Sequence, residues 1–132
     1  MAQTQSTVNA ILSNRRTENS VDSNTVHTLT GSACSLDQVL IDNSLNSSTS
    51  YLRIWDTTGT VTNGTTDPDF VLPAAAGKTV DYTFAAVGDY ATLSSRGAHI
   101  TTGLKYSVVT TGGTVGSTAP SSAVTVKFLT SE

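Results

Sequence analysis

The sequence predicts an all-β protein: a single β-sandwich or jelly-roll-like domain of about eight short strands with an extended N-terminal arm. Charged residues make up only 13% of the 132 residues, against roughly 25% in ordinary domains. Serine and threonine supply the polarity instead, and threonine favours pleated strands while serine favours turns. Long helix-forming residues are scarce. A chain of this length buries a core without disulfides or metal ions, so we expect one domain.

The first 24 residues differ from the rest of the chain. They are polar, apart from an apolar triplet with the i, i+3, i+4 spacing of one helical turn and the only adjacent basic pair. Because one helical turn is not stable alone, we predict an arm over residues 1–24 that orders against a partner. A frayed terminus is the alternative. The candidate partner-binding residues of this arm are Val8, Ile11, Leu12, Arg15 and Arg16.

From residue 25 onward the pattern changes to strands separated by turns, which defines a β domain over residues 25–132. Runs rich in β-branched and aromatic residues predict strands at 25–30, 35–42, 50–55, 69–72, 78–84, 98–101, 104–110 and 123–129. Alternation gives each of two strands an apolar face, formed by Val80, Tyr82 and Phe84 in one and by Val124, Val126 and Phe128 in the other.

The strand that ends at Trp55 carries large side chains on both faces. Leu52 and Ile54 supply an inward face, which leaves Tyr51, Arg53 and Trp55 on the opposite side. These three are residue types enriched at interface hot spots, so one interpretation is an outward stripe that contacts a partner or a second copy of the chain. The other interpretation is a central strand that a loop or the arm buries on its second face.

Two segments rich in glycine, threonine and serine predict long loops at residues 56–68 and 111–122. Within the first, Asn63-Gly64 has an alternative role as the corner of a tight hairpin with Val61 on one arm. Asn46 and Asn63 each begin an Asn-Xaa-Ser/Thr sequon. We interpret both as loop asparagines and not as glycan sites, because the polar residues 1–7 lack the apolar core of a signal peptide.

The stretch PAAAGKTV, residues 73–80, contains the Gly77-Lys78-Thr79 triplet with which phosphate-binding loops end. That motif requires a second glycine five residues before Gly77, where this chain has Leu72, and a helix afterwards, where it has a predicted strand. We therefore predict a turn between two strands and no nucleotide cofactor.

The sequence predicts no enzyme and no catalytic, cofactor or metal site. The only histidines, His27 and His99, lie in strand-like surroundings, and the only cysteine, Cys34, is predicted to be a buried apolar residue. Three loop carboxylates lack the spacing of a calcium loop and are predicted to be solvated; they are Asp56, Asp67 and Asp69.

Charge and hydropathy argue against two classes of partner. The net charge of -3 disfavours nucleic acid, since affinity for phosphates depends on clustered Lys and Arg. No apolar run is long enough to cross a bilayer, so we predict no membrane partner and synthesis in a cytoplasm. A sugar-stacking platform of Trp55 and Tyr51 keeps a carbohydrate-binding or receptor-binding module open as a different class of function.

Four stretches between residues 51 and 129 carry a resemblance: YLRIWDTTG, TDPDFVLPAAAGKTVDYTF, GAHITTGLKYSVVT and AVTVKFL. An aromatic-Asp pair, here Trp55-Asp56, leads through a Gly/Thr loop and a proline to a strand, and Gly103-Leu104 opens a later strand that ends at Thr110. The order resembles small all-β structural proteins of tailed bacteriophages and prophages. The segment 85–96 is longer than their pattern expects, and the first fifty residues match it weakly.

Among such proteins, single-domain members with an N-terminal arm resemble capsid decoration, or cement, proteins. The resemblance implies a non-enzymatic virion protein on the capsid surface that binds between capsomers of the major capsid protein and forms a homotrimer. A tail or neck structural protein of the same particle is the alternative within this class.

Overall fold

The computed structural model describes residues 14–20, 25–84 and 97–131, and these residues form strands, turns and bends. The described residues hold nine strands: β1 (Asn14–Ser20), β2 (His27–Thr30), β3 (Cys34–Asp42), β4 (Ser50–Asp56), β5 (Phe70–Ala74), β6 (Thr79–Thr83), β7 (Ala98–Ile100), β8 (Leu104–Val109) and β9 (Val124–Ser131). Strands β2 to β9 each overlap one predicted strand. The predicted all-β fold is thereby confirmed.

The strands form two antiparallel sheets. Sheet A has the order β1-β9-β3-β6, and β7 also pairs with β3. Strand β7 pairs with residues 34–36 of β3 and β6 with residues 38–42, and a shift of the β3–β9 register falls between Leu36 and Gln38. Sheet B has the order β2-β8-β4-β5, so that β4 lies between two neighbours.

The inner faces of the two sheets pack into one apolar cluster. Sheet A contributes Val39 and Ile41 of β3, and sheet B contributes Leu52 and Ile54 of β4, all fully buried. The rings of Tyr106 in β8 and Phe128 in β9 lie 4.9 Å apart and join the sheets across the core. Both predicted apolar faces are confirmed: the side chains of the β9 face are fully buried, and those of the β6 face are half-buried against the cluster.

Strand β1 lies within the predicted arm. Its seven residues pair with β9 from Asn14↔Thr130 to Ser20↔Val124, which makes β1 the end strand of sheet A. The apolar triplet Val8, Ile11 and Leu12 and the connection 21–24 lie outside the described residues. The division of the chain at residue 24 stays a prediction.

The two outer faces of the sandwich differ. On sheet A, Lys127, Leu40 and Asp81 form one row across three strands, and the two charged side chains are exposed. On sheet B, the outer side chains of β4 and β8 include Arg53, Trp55 and Val109, which are buried. The centre of sheet B is therefore covered on both faces. No helix in the described ranges is long and apolar enough to cross a membrane.

Candidate functional site

Two loops cover the outer face of sheet B: the β4–β5 loop, residues 57–69, and the β8–β9 loop, residues 110–123. The Trp55 side chain is only 1% exposed, and its Nε1–H donates to the Thr66 carbonyl at 3.1 Å. The loops also contact each other, because a Cβ on Gly64 would lie 3.4 Å from the Gly116 carbonyl oxygen. Both segments are loops, as the sequence predicted.

Asn63 and Gly64 occupy a turn inside the β4–β5 loop and not the corner of a β-hairpin. The N–H groups of Thr65 and Thr66 donate to the Thr62 carbonyl at 3.1 and 2.9 Å, and Gly64 has a φ of 90°. No described residue other than glycine has a positive φ, whereas a type I′ hairpin turn requires it at both central residues. The alternative of a tight hairpin is wrong.

The Arg53 guanidinium holds both loops. Its Nη1 donates to Asn63 Oδ1 at 2.9 Å and to the Gly116 carbonyl at 2.7 Å. Its Nη2 donates to the Val115 carbonyl at 3.0 Å, and to the carbonyl and hydroxyl oxygens of Thr111 at 3.2 and 3.3 Å. We call Arg53, Asn63 and Thr111, with the carbonyls of Val115 and Gly116, the arginine cluster. It ties the two loops to β4.

The arginine cluster buries a cation among neutral groups. The Arg53 side chain is fully buried, its five hydrogen bonds all go to neutral oxygens, and its Nε–H has no acceptor among the described residues. Burial lowers the pKa of the guanidinium from its ordinary value, yet arginine stays protonated in proteins. The dipoles of neutral carbonyl and hydroxyl groups therefore compensate the loss of hydration.

This geometry corrects the expectation of an outward stripe. Arg53 and Trp55 lie under the chain's own loops, and only Tyr51 of the three is partly exposed. Ser107 and Val109 of β8 lie on the same face and are also buried. The second interpretation, a central strand buried on both sides by loops, describes β4. A partner cannot reach Arg53 or Trp55 in this conformation, and Trp55 offers no sugar-stacking platform.

A second polar cluster lies at the entry to β4. The buried Asn43 amide donates to the carbonyls of Ser48, Ala74 and Ala75 at 3.0 to 3.1 Å. Its Oδ1 accepts from Asn46 Nδ2 at 2.9 Å and from the Ser50 hydroxyl at 2.8 Å. We call the side chains of Asn43, Asn46 and Ser50 the amide cluster. It joins the β3–β4 and β5–β6 connections.

Asn46 extends the amide cluster to the β8–β9 loop. Its Nδ2 donates to the Ser122 carbonyl at 3.0 Å, and its Oδ1 accepts from the Ser122 N–H at 2.8 Å and the Ser121 hydroxyl at 3.2 Å. The side chain is 4% exposed. Asn46 lies in the connection between β3 and β4, so it is a loop asparagine as predicted. Beside it lies a cavity of about 130 Å³, lined by Asn46, Ser48, Ser50, Thr110, Ala119, Pro120 and Ser121.

Asp56 closes the turn between β7 and β8. Its carboxylate accepts from the N–H and hydroxyl groups of Thr101 and Thr102 at 2.8 to 2.9 Å, and from the Gly103 N–H at 3.4 Å. Burial acts to raise the pKa of this carboxyl, but the hydrogen bonds from Thr101 and Thr102 outweigh it and lower the pKa to about 2.

The Asp56 N–H in turn donates to Asp69 Oδ2 at 2.7 Å. Asp67 accepts from the Thr114 hydroxyl. Each of these three carboxylates accepts a hydrogen bond from the chain.

The remaining candidate residues lie apart from one another. His27 stacks on Tyr106 with ring centroids 5.2 Å apart, His99 is exposed on β7, and Cys34 is fully buried, as predicted. Gly77, with a φ of 70°, forms the turn between β5 and β6 that the sequence predicted. No three metal-ligating side chains come together within the described part of the chain.

Comparison with known protein families, curated proteins and solved structures finds no match. The description of the arginine and amide clusters therefore depends on the geometry of this chain alone. Of the predicted partner-binding residues, Arg15 and Arg16 lie on β1, paired with Leu129 and Phe128, and the apolar triplet lies outside the described residues.

Sequence reasoning missed both polar clusters. A signal for the first was present, since Arg53 stands between Leu52 and Ile54 in an otherwise apolar strand. The amide cluster had none, because Asn43 and Asn46 belong to a Ser/Asn-rich segment that is typical of any exposed turn.

Proposed function

We propose that the protein is a non-enzymatic structural protein of a tailed-phage virion, a cement protein that binds the major capsid protein lattice from the capsid surface. The sequence resemblance supports the class. A sandwich whose loops are held by hydrogen bonds suits a structural role, in which the protein presents a fixed surface to its partner. The protein would be made in the host cytoplasm and act as a homotrimer on the particle, with neither nucleic acid nor membrane as a partner.

The observation that carries the proposal is the position of β1. Part of the predicted arm forms the end strand of sheet A, and its backbone is paired with β9 over seven residues. Residues 1–13, which include the apolar triplet, are therefore joined to a strand that belongs to the sandwich. An arm attached to a folded body can bind a second subunit while the body sits on the first, which is how one chain would bridge capsomers.

The mechanism would be mass action. A protein that binds the assembled, expanded lattice and not the free subunits adds its binding free energy to the stability of the assembled state alone. Such binding is strongest when the contact surface is already ordered, because less conformational entropy is lost. The arginine and amide clusters hold four connections between strands before any partner is met.

The correction at β4 changes where the partner contact lies. Because Arg53 and Trp55 are buried, we assign neither the trimer contact nor the capsid contact to these two side chains. The loop residues Leu45 and Val115 are 72% and 78% exposed and remain available. Nothing in the buried Trp55 face favours the carbohydrate-binding alternative.

The test is binding to expanded capsids that lack the protein. We compare the full chain, a chain without residues 1–13 that keeps β1, and a full-length triple variant Val8→Ser, Ile11→Ser and Leu12→Ser. The full chain should occupy regular lattice positions and raise the temperature of capsid disassembly, and both variants should bind less while the far-UV spectrum of the β domain is unchanged. Cryo-electron microscopy gives copy number and position. Density at the tail or neck, or no lattice occupancy, would overturn the cement function.

A further inference from the structure

We propose that Asn63 is a self-modification site, at which the chain converts the Asn63 amide to an aspartate carboxylate that pairs with the buried Arg53. The proposal is independent of the capsid function. It rests on three features that meet at one atom group: an Asn-Gly sequence, a cation on the amide oxygen, and a Gly64 N–H without an acceptor among the described residues.

The nucleophile is the backbone nitrogen of Gly64. Asn-Gly sequences close to a cyclic imide more readily than other Asn-Xaa pairs because glycine has no Cβ to obstruct the attack. Among the described residues, none accepts a hydrogen bond from the Gly64 N–H. Attack of this nitrogen on the side chain therefore breaks no hydrogen bond to a described residue.

The electrophile is the Asn63 side-chain carbonyl, and the arginine cluster polarises it. Arg53 Nη1 donates to Asn63 Oδ1 at 2.9 Å, and the Ser107 hydroxyl donates to the same oxygen at 3.3 Å. When the Gly64 nitrogen attacks Asn63 Cγ, negative charge develops on Oδ1, where a fixed cation already lies. Donors placed at a developing oxyanion lower the barrier of acyl transfer in this way.

The reaction needs only water. The bond from Gly64 N to Asn63 Cγ forms, the Cγ–Nδ2 bond breaks, and ammonia leaves with the proton from Gly64 N, giving a succinimide. Water then adds to one of the two imide carbonyls and the adjoining C–N bond breaks. Attack at Cγ restores the peptide bond and gives aspartate, whereas attack at the backbone carbonyl gives isoaspartate.

The position of Arg53 selects between these products. The guanidinium contacts the oxygen on Cγ, so it activates that carbonyl and stabilises the carboxylate that forms there. The product replaces a neutral acceptor of the buried cation with an anion, and charge-assisted hydrogen bonds are stronger than neutral ones. The folded protein should therefore form mainly aspartate, and the modified chain should hold the β4–β5 loop more firmly.

The test is peptide mass mapping of the purified full chain after incubation in mildly alkaline buffer, with fragmentation that distinguishes aspartate from isoaspartate. We expect the amide-to-acid mass change at Asn63 and an aspartate-to-isoaspartate ratio about tenfold above that of the urea-unfolded chain. Asn46, whose amide is fully bonded, serves as the internal control, and Asn63→Gln should show no change at position 63.

Two variants probe the role of Arg53. Arg53→Lys, which keeps a charge but loses the planar fork, should lower the product ratio toward that of the unfolded chain. Asn63→Asp, which imitates the product without the reaction, should raise the midpoint of thermal unfolding above that of the unmodified chain. An Asn63 that stays an amide in the folded protein while the unfolded chain is converted would overturn the proposal. So would equal product ratios in the two states, or a lower midpoint for Asn63→Asp.

Discussion

The arginine cluster and the amide cluster both tie loops to β4, but the first is built on a cation and the second on neutral side chains. Asn43 and Asn46 are neutral, and their amide groups donate and accept within one network. Arg53 carries a charge, and within the described part of the chain it reaches only neutral acceptors and its Nε–H has none. An irregular loop is therefore fixed in two ways in this protein. A neutral amide pairs all its donors and acceptors, or a buried cation donates to several neutral oxygens of the loop.

The difference lies in what each cluster loses when it is broken. An amide that is removed leaves carbonyls without donors, which costs the desolvation of each unpaired group. Removal of the buried guanidinium also opens a cavity of the size of a large side chain. It removes the unfavourable dehydration of the cation at the same time, which offsets part of the loss. The net loss of stability depends on how many acceptors are left without a donor, and Arg53 donates to five acceptor atoms.

The largest effect is expected for Arg53→Ala. It removes all five hydrogen bonds of the guanidinium to the two loops and opens a cavity under them, so the free energy of unfolding should fall by about 3–5 kcal/mol. Urea unfolding measures the change, and hydrogen exchange should show lost protection in both loops. Arg53→Lys is the matched control and should fall between the alanine variant and the native chain, since an ammonium cannot span the same acceptors.

A small loss for Arg53→Ala, below about 1 kcal/mol, would contradict the idea that the guanidinium holds the loops. It would mean that contacts such as Trp55 Nε1 to the Thr66 carbonyl suffice by themselves.

The next effect is expected for Asn43→Ala, at about 2–3 kcal/mol, because three carbonyls lose their donor. Asn43→Asp sharpens the comparison: at neutral pH it places a carboxylate against the carbonyls of Ala74 and Ala75 and should destabilise more than alanine does. Gln38→Ala, which removes an amide bonded to Asp81 near the surface, should change stability by less than about 0.5 kcal/mol. An Asn43→Asp variant as stable as the native chain would show that the cluster has no requirement for donors.

The sequence predicted the strands more completely than the clusters. Period-2 alternation placed Val124, Val126 and Phe128 in the core, and a local pattern is enough for that. The strand that ends at Trp55 was ambiguous, since alternation assigns faces but does not say whether a loop returns over the second one.

The clusters depend on contacts between distant parts of the chain. Arg53 meets Gly116 across 63 positions, and Asn46 meets Ser122 across 76. No spacing within one sequence encodes such a meeting. Strand β1 was missed for a related reason: its residues are polar and charged, and only the pairing with β9 makes them a strand.

A smaller effect tests the close packing of the arginine cluster. A Cβ on Gly116 would lie 2.4 Å from Thr111 Oγ1, and the residue has a φ of 92°. Gly113, on the same loop, has a φ of 72° with open space around its Cβ position. Gly113→Ala should therefore cost only the left-handed strain of about 1–2 kcal/mol. Gly116→Ala should cost at least about 1 kcal/mol more, because Thr111 must move away from Arg53. Equal losses in urea unfolding would place the Thr111 contact outside the cluster.

The smallest effect concerns Asp56, the titratable counterpart of Arg53 on the same strand: an anion that accepts from five neutral donors. Its folded pKa of about 2 lies below the ordinary 3.8, so the unfolded state binds the proton first. The stabilisation is complete above the ordinary pKa and is lost as the pH falls toward the folded one. Because the side chain is partly solvated, we expect a contribution of about 1 kcal/mol.

Asp56→Asn should remove this contribution at neutral pH and flatten the stability profile across the same interval of acid pH. The profile should keep some slope, because hydrogen bonds from Ser44 lower the pKa of Asp42 and act in the same direction. Arg53→Lys carries no titration in this range and should follow the native slope at lower stability. If Asp56→Asn loses stability as steeply as the native chain when the pH falls, the turn between β7 and β8 does not depend on the carboxylate.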